Sequence, residues 1–166
     1  MAPVPTIRPA TRADADLLTE VEAEGDRQFE ALFGPLDWRP TRGTWRLAAP
    51  GFVLVAGDPV VGFAHVLEIE GIAHLEQLVV RPAAQRRGTG TALVAAARAR
   101  AAERGYDVLS LCTYADVPWN APFYRLLGFE ELTDLSPVHR AMQEKEERLG
   151  LMAHGRRVVM RAPTRT

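Results

Sequence analysis

The sequence predicts an α/β fold in which one central mixed β-sheet is flanked by helices. Three observations predict it. Short apolar, β-branched runs alternate with helical patterns along the chain. A strand pattern at 72–80 feeds the turn Gln85-Arg86-Arg87-Gly88-Thr89-Gly90, which opens an Ala-rich helix from Thr89 to Arg104. Finally, 166 residues at 47% hydrophobic and 25% charged suffice for one domain, residues 1–166, with a real core and little more.

Each element follows in order. Thr6 to Ala10 reads as a short first strand, broken by Pro9. Thr11 is placed to cap a helix, with Asp14 three residues on. Leu17, Leu18, Val21, Phe29, Leu32 and Phe33 share a helical face, which Gly25 is expected to break in two and Gly34-Pro35 to stop. Leu36 to Pro50 reads as irregular, with Trp38 and Trp45 among prolines and arginines. Phe52–Ala56 and Val60–Ile69 are strands joined by a Gly57-Asp58-Pro59 hairpin, and Glu70-Gly71 turns into the strand at 72–80.

The Ala-rich helix ends at Gly105, a C-cap residue. Asp107 to Thr113 is a buried strand and Tyr114 to Pro118 a loop. Asn120-Ala121-Pro122 reads as a capped helix start, closed at Gly128, before a strand at Phe129–Leu132. Pro137 to Leu149 is an amphipathic helix, and Arg156 to Ala162 a final strand.

The turn at Gln85–Gly90 has a chemical meaning of its own. The first N–H groups of a helix lack internal partners, and the helix dipole adds positive character there. Gly88 and Gly90 let a bulky group approach the backbone, and Arg86 and Arg87 add charge, so the turn reads as a phosphate site. It is not a P-loop, since G-x-x-x-x-G-K-[ST] is absent. Nor is it a dinucleotide fingerprint, since Leu93 stands in place of the third glycine.

What matches is Q-x-x-G-x-G behind a strand ending Val79-Val80-Arg81-Pro82, which resembles the acetyl-coenzyme A motif of the GCN5-related N-acetyltransferase (GNAT) family. A second stretch, Asn120-Ala121-Pro122-Phe123-Tyr124-Arg125-Leu126-Leu127-Gly128-Phe129, resembles that family's Tyr-x-x-x-Gly-Phe helix. The resemblance is firm from Val60 to Leu132 and extends beyond in element order only. It implies a GNAT-like acyl-CoA N-acyltransferase fold with acetyl-CoA as the donor. Gln85 and the backbone of Arg86, Arg87, Gly88, Thr89, Gly90 and Thr91 would hold the pyrophosphate. Leu78, Val79 and Val80 would pair with the pantetheine as an extra strand, with a β-bulge there freeing an amide for the thioester. Asn120 would contact the coenzyme, although it lies closer to the tyrosine than in several relatives.

Acetyl transfer to an amine needs a deprotonated nucleophile, alignment, an oxyanion donor and an acid for the departing thiolate. The resemblance puts Tyr124 opposite the coenzyme sulfur, and a phenol of pKa ~10 can donate at neutral pH. The base falls to Glu76 or His74, two apart on one strand and so expected on one face. Glu76 would need its pKa raised, whereas His74 is already close to neutrality. Cys112, the only cysteine, lies in a buried strand and reads as core, which favours direct transfer over an acyl-enzyme.

The family's acceptor pocket maps onto Asp26, Phe29, Phe33, Trp38, His65 and Trp119. Their mix of carboxylate and aromatic rings suits a small-molecule or peptide amine without choosing among them. A net charge of −1 argues against nucleic-acid binding, and no histidine spacing suggests a metal. The opening Met1-Ala2-Pro3-Val4-Pro5 lacks the pattern of a leader, and no apolar run suits a membrane span, so a cytoplasmic protein is expected. Lys145 as sole lysine suggests a GC-rich bacterial genome. The Trp38–Trp45 loop and the last strand are surfaces that a homodimer could use. The alternative reading is a non-catalytic acyl-CoA-binding regulatory module, which would keep the turn without needing Tyr124, Glu76 or His74.

Overall fold

The computed structural model describes residues 2–166; Met1, where the segment read as lacking a leader begins, lies outside them. Strand β1 (Ile7–Pro9) leads through one 3-10 turn into helix α1 (Ala15–Phe33). The Asp14 carboxylate secures that junction. It accepts from the Arg8 guanidinium at 2.8 and 2.9 Å and from Thr11 N–H at 2.7 Å. The Arg8 hydrogen bonds hold its pKa down at about 2, against the pull of partial burial.

Helix α1 runs unbroken through Gly25, contrary to expectation. The glycine answers to close approach: a Cβ there would stand 2.4 Å from Val79 Cγ2 on the strand beneath. The stretch expected to be irregular contains helix α2 (Gly43–Ala48). Its start is set by docking, because Gly43 N–H donates to Thr19 Oγ1 at 3.0 Å and a Cβ at Gly43 would meet Ala15 O at 1.9 Å. No local apolar period announces such a helix.

The remaining elements are β2 (Gly51–Ala56), β3 (Gly62–Ile69), β4 (Ile72–Val80), α3 (Thr89–Glu103), β5 (Val108–Tyr114), α4 (Ala121–Leu126), β6 (Glu130–Glu131), α5 (Pro137–Arg148) and β7 (Arg157–Pro163). They build a seven-stranded sheet in the order β1-β2-β3-β4-β5-β7-β6. Only β4 and β5 pair in parallel. Among the described residues no helix is long and apolar enough to cross a membrane.

The two faces of the sheet carry separate cores. One, with Leu54, Val66, Leu75, Leu109 and Met160, packs against Leu93 and Ala97 of α3. The other, with Val53, Val55, Phe63 and Val79, packs against Leu18 and Val21 of α1.

Two irregularities on β4 open a site in this sheet. Pairing with β5 covers only Ala73↔Leu109, His74↔Ser110 and Leu75↔Leu111, and then the strands separate. Pairing with β3 skips a residue between Val66↔Leu75 and His65↔Gln77, which leaves Glu76 as a bulge. The bulge was expected at Leu78–Val80; it falls at Glu76. Its effect is visible in packing, since the α3 face takes Ala73 and Leu75 before it but Leu78 and Val80 after it.

Candidate active site

The loop between β4 and α3 is held from behind. Gln85 Nε2 donates to Val80 O at 2.8 Å and to Gln28 Oε1 at 2.9 Å, while Gln28 Nε2 donates to Gln85 Oε1 at 3.0 Å. Arg81 donates to Val60 O at 3.1 Å and pairs with Glu24 and Glu20 of α1, so it belongs to the scaffold rather than to a basic patch with Arg86 and Arg87. With side chains thus occupied, the loop presents backbone. Arg86 and Gly88 both take left-handed conformations, φ 60 and 83°, and Gly88 caps α3 without a side-chain bond. The N–H groups at the start of α3 therefore lack protein acceptors in the helix.

A pyrophosphate-bearing cofactor fits this loop on two observations. A Cβ at Gly90 would fill the space between the loop and the Phe123 ring, meeting it in ordinary contact at 3.6 Å, so the glycine leaves room at the mouth of the loop. Thr89 Oγ1 is buried and has no hydrogen-bond partner among the described residues. Arg87 stands apart from the main cavity, in a shallow depression with Arg86, Gly88, Ala2 and Val4.

From the loop a cavity of about 1680 Å³ runs along the gap between β4 and β5. Its walls include Leu78, Val79 and Val80, whose edge facing β5 has no strand partner. An extended chain bearing amides can pair there. His74, Glu76 and Tyr124 line it as well. Asn120 also lines it, but its role as a helix cap is not realised: its Oδ1 accepts from Tyr114 N–H at 3.3 Å and makes no cap bond.

The three candidate proton-transfer groups differ in character. Tyr124 is 8% exposed, packs edge-on to Phe123 and Phe129, and donates to no protein acceptor among the described residues. Burial pushes its pKa up, with Arg157 opposing, so it stays a protonated phenol. Protein encloses the Glu76 carboxyl and pushes its pKa up, with Arg46 and Lys145 opposing. Yet Glu76 remains open to water in the cleft, which tempers that push. His74 is 3% exposed and bonded at Nδ1 to Ser110 Oγ at 2.8 Å. Burial, then His139 and Arg157, lower its pKa to about 3, so it rests neutral. Cys112 borders the cavity with its thiol pushed by burial up to about 12, unsuited to nucleophilic attack.

Beyond these groups the cavity meets α1, α2 and the loop between them. Arg46, 4% exposed, donates to Glu22 Oε1 at 2.9 Å and to His65 Nδ1 at 2.8 Å. Because a guanidinium can only donate, His65 carries its proton on Nε2. That N–H is buried and unpartnered, and burial followed by Arg46 lowers the ring's pKa to about 4. His65 thus lies behind the cavity wall and not, as expected, in the acceptor pocket. Phe33 also sits behind the wall, 5.0 Å from the His154 ring and 5.2 Å from Tyr114. The rings that do line it centre on Phe29, with Trp38 at 5.3 Å, Trp119 at 5.4 Å and Tyr114 at 6.0 Å. Asp26 lies at their edge, its pKa raised to about 7 by burial and then by Glu22.

The sequence reading overlooked Glu22, Arg46, Tyr114 and Arg157, all of which border the cavity. Glu22 left one trace, a charge next to Val21 and one turn after Leu18 on the buried stripe of α1. Arg157 left none: its guanidinium lies 4.5 Å over the Tyr114 ring and bonds Glu146 at 2.6 Å, pairings only the folded chain creates.

The cleft thus joins a glycine-rich loop at a helix start to the side chains of His74, Glu76 and Tyr124. Comparison with known proteins gives its class. The chain belongs to the acetyltransferase (GNAT) family, which it matches over residues 17–129. Solved structures share its fold at low identity. The ribosomal-protein-S18-alanine N-acetyltransferase of Escherichia coli is 21% identical, with 97% of this chain and 94% of that chain covered and a TM-score of 0.66. The PaiA N-acetyltransferase of Thermoplasma acidophilum, solved with coenzyme A, is 17% identical, with 98% and 99% covered and a TM-score of 0.70. An aminoglycoside 6'-N-acetyltransferase complexed with coenzyme A is 17% identical, with 97% and 98% covered and a TM-score of 0.65.

Proposed function

We propose that residues 1–166 form one cytoplasmic N-acetyltransferase domain that transfers acetyl from acetyl-CoA directly to a primary amine of a small molecule or peptide. The observation that carries this reading is the continuity of the cleft, from the Arg86–Thr91 loop along the unpaired β4 edge to Tyr124 and Glu76. Bound acetyl-CoA supplies the activated thioester. Backbone N–H groups from Arg86 to Thr91 hold its phosphates, and Leu78 to Val80 bind its amides. The bulge at Glu76 frees backbone from strand pairing beside the reacting end, where an N–H can stabilise the oxyanion.

Glu76 takes the ammonium proton, directly or through water, and its raised pKa improves its match to neutral pH. His74, just below, is the second group able to take up that proton. Tyr124 remains protonated to its last use and donates to the leaving thiolate. The high thiol pKa of Cys112 supports a route without an acyl-enzyme. The Phe29–Trp38–Trp119 rings favour an amine with an apolar or aromatic body, while the acids Glu22, Asp26 and Glu76 share the cavity wall with the cations Arg39, Arg42, Arg46 and Lys145. The lone cysteine, with no disulfide framework, supports the cytoplasmic location.

Calorimetric titration with acetyl-CoA tests the donor half, with Arg86→Glu/Gly88→Glu as control. Thiol release from acetyl-CoA with 2-phenylethylamine or spermidine as acceptor tests the rest. In Tyr124→Phe, turnover is expected to fall ~10²-fold or more with acetyl-CoA affinity retained. A folded wild type that does not bind acetyl-CoA overturns the reading. Binding without turnover, unaltered by Tyr124→Phe, favours the regulatory module instead.

A further inference from the structure

Beneath the cavity, hydrogen bonds form an unbroken line from β4 to the start of α5. His74 Nδ1 lies 2.8 Å from Ser110 Oγ, Ser110 Oγ lies 3.0 Å from His139 Nε2, and His139 Nδ1 lies 2.8 Å from Ser136 Oγ. The first three side chains are buried, whereas Ser136, the N-cap of α5, is only half-buried. At one end of the line His74 borders the cavity, and its Nε2 has no protein partner among the described residues. Four groups that each both donate and accept thus connect His74 with the start of α5, where Pro137 and Val138 also border the cavity.

We propose that His74, Ser110, His139 and Ser136 form a proton relay through which His74 takes up the acceptor amine's proton while Ser136 releases another. This rests on the reading of the cavity as an amine-acetylation site. Ser110 and His139 are positioning residues: they touch neither donor nor acceptor and act through His74.

The balance is simple. In the resting state both imidazoles carry hydrogen on Nδ1, so His74 donates to Ser110, Ser110 to His139 Nε2, and His139 to Ser136. The amine's proton bonds to His74 Nε2. The Nδ1 hydrogen passes to Ser110 Oγ, the Ser110 hydrogen to His139 Nε2, and the His139 Nδ1 hydrogen to Ser136, which releases one to water. One proton enters and one leaves, and both rings end with hydrogen on Nε2. After product release, Nε2 of His74 returns its hydrogen to cavity water and the line takes one back through Ser136.

A relay also resolves a conflict in using His74 as a base. Its ring is faced by His139 of α5, 6.2 Å away between centroids, and by Arg157 of β7, itself paired with Glu146. Burial and these neighbours penalise an imidazolium there. His74 can therefore accept a proton only by giving up another at the same time.

The test that needs no turnover is nitrogen-15 NMR of the full chain labelled in histidine. A relay requires His74 and His139 to hold the same tautomer, both Nδ1–H or both Nε2–H. A purely structural cluster has the opposite arrangement: His74 Nδ1–H and His139 Nε2–H both donate to Ser110, whose hydroxyl turns to Ala73 O at 3.4 Å. Opposite tautomers overturn the proposal. The kinetic arm uses acetyl-CoA and 2-phenylethylamine. Ser110→Val is expected to lower kcat ~10-fold or more with KM nearly unchanged, while the isosteric Ser110→Thr, which restores the hydroxyl, recovers it. His139→Gln is expected to behave like Ser110→Val. Wild-type kcat in Ser110→Val also overturns the relay. If the wild type turns over no amine, the acetylation reading fails separately and the tautomers still decide whether the line is built for proton transfer.

Discussion

Gly25→Ala adds one methyl where α1 crosses the strand that borders the coenzyme cleft. The new Cβ would stand 2.4 Å from Val79 Cγ2, against about 3.5–4.0 Å for carbon atoms in comfortable contact. Val79 is 8% exposed and β-branched, so it has little rotamer freedom with which to retreat. Overpacking of this kind costs ~1–3 kcal/mol. Alanine in a helix interior recovers ~1 kcal/mol over glycine. The difference predicts a net loss of ~0–2 kcal/mol, with acetyl-CoA affinity lowered as Val79 is displaced. Urea unfolding of Gly25→Ala, Val79→Ala and the double variant completes a cycle. Val79→Ala alone is expected to cost ~2 kcal/mol. In the double variant the new methyl occupies vacated space, so its loss should fall short of the sum by ~1 kcal/mol or more. If Gly25→Ala alone stabilises by ~1 kcal/mol, and the cycle closes within ~0.5 kcal/mol, then α1 is not pressed on Val79 and the reasoning fails.

Three further outcomes are expected. Glu22→Ala leaves Arg46 buried without its carboxylate and should cost ~3–5 kcal/mol in thermal unfolding, whereas Glu22→Leu/Arg46→Met, which removes both charges, should cost far less. The Asp26 carboxyl has its pKa raised to about 7 in the fold, so its contribution is fully present below the unfolded-state value near 4 and is lost as pH rises through 7. Relative to wild type, Asp26→Asn should therefore gain up to roughly 2–4 kcal/mol between pH 4 and 7 and nothing more above, read by urea unfolding across pH. Gly88→Ala forces a side chain into φ 83°, and should lower stability by ~1 kcal/mol while weakening acetyl-CoA in calorimetry by a larger factor.

What was legible in the sequence was local. The Gln85–Gly90 turn announces itself because glycine, arginine and a helix start do their work within six consecutive residues. Tyr124 could be singled out because its helix is a contiguous motif. The Glu22–Arg46–His65 cluster was not, because it joins α1, α2 and β3 across separations of 24 and 19 residues, with no period linking them. Gly25 misled for a related reason: glycine's local preference argues for a break, whereas its cause lies 54 positions away at Val79. The bulge at Glu76 did leave a mark. Core-facing residues on β4 shift from odd positions at Ala73 and Leu75 to even ones at Leu78 and Val80, a phase slip that a uniformly apolar run conceals.

The three register pairs that join β4 to β5 also make the molecule mechanically lopsided. On one face α3 packs across strands from both sides of the seam, like the spine of a book. On the other face the seam beyond Leu75 lacks backbone bonds to resist spreading. A molecule lying in the cleft and bonded to β4 would act as the missing rung. Slow amide exchange should then spread outward from Ala73–Leu75 when the cleft is filled, and the two leaves of the sheet should unfold as one unit more strictly with ligand than without it.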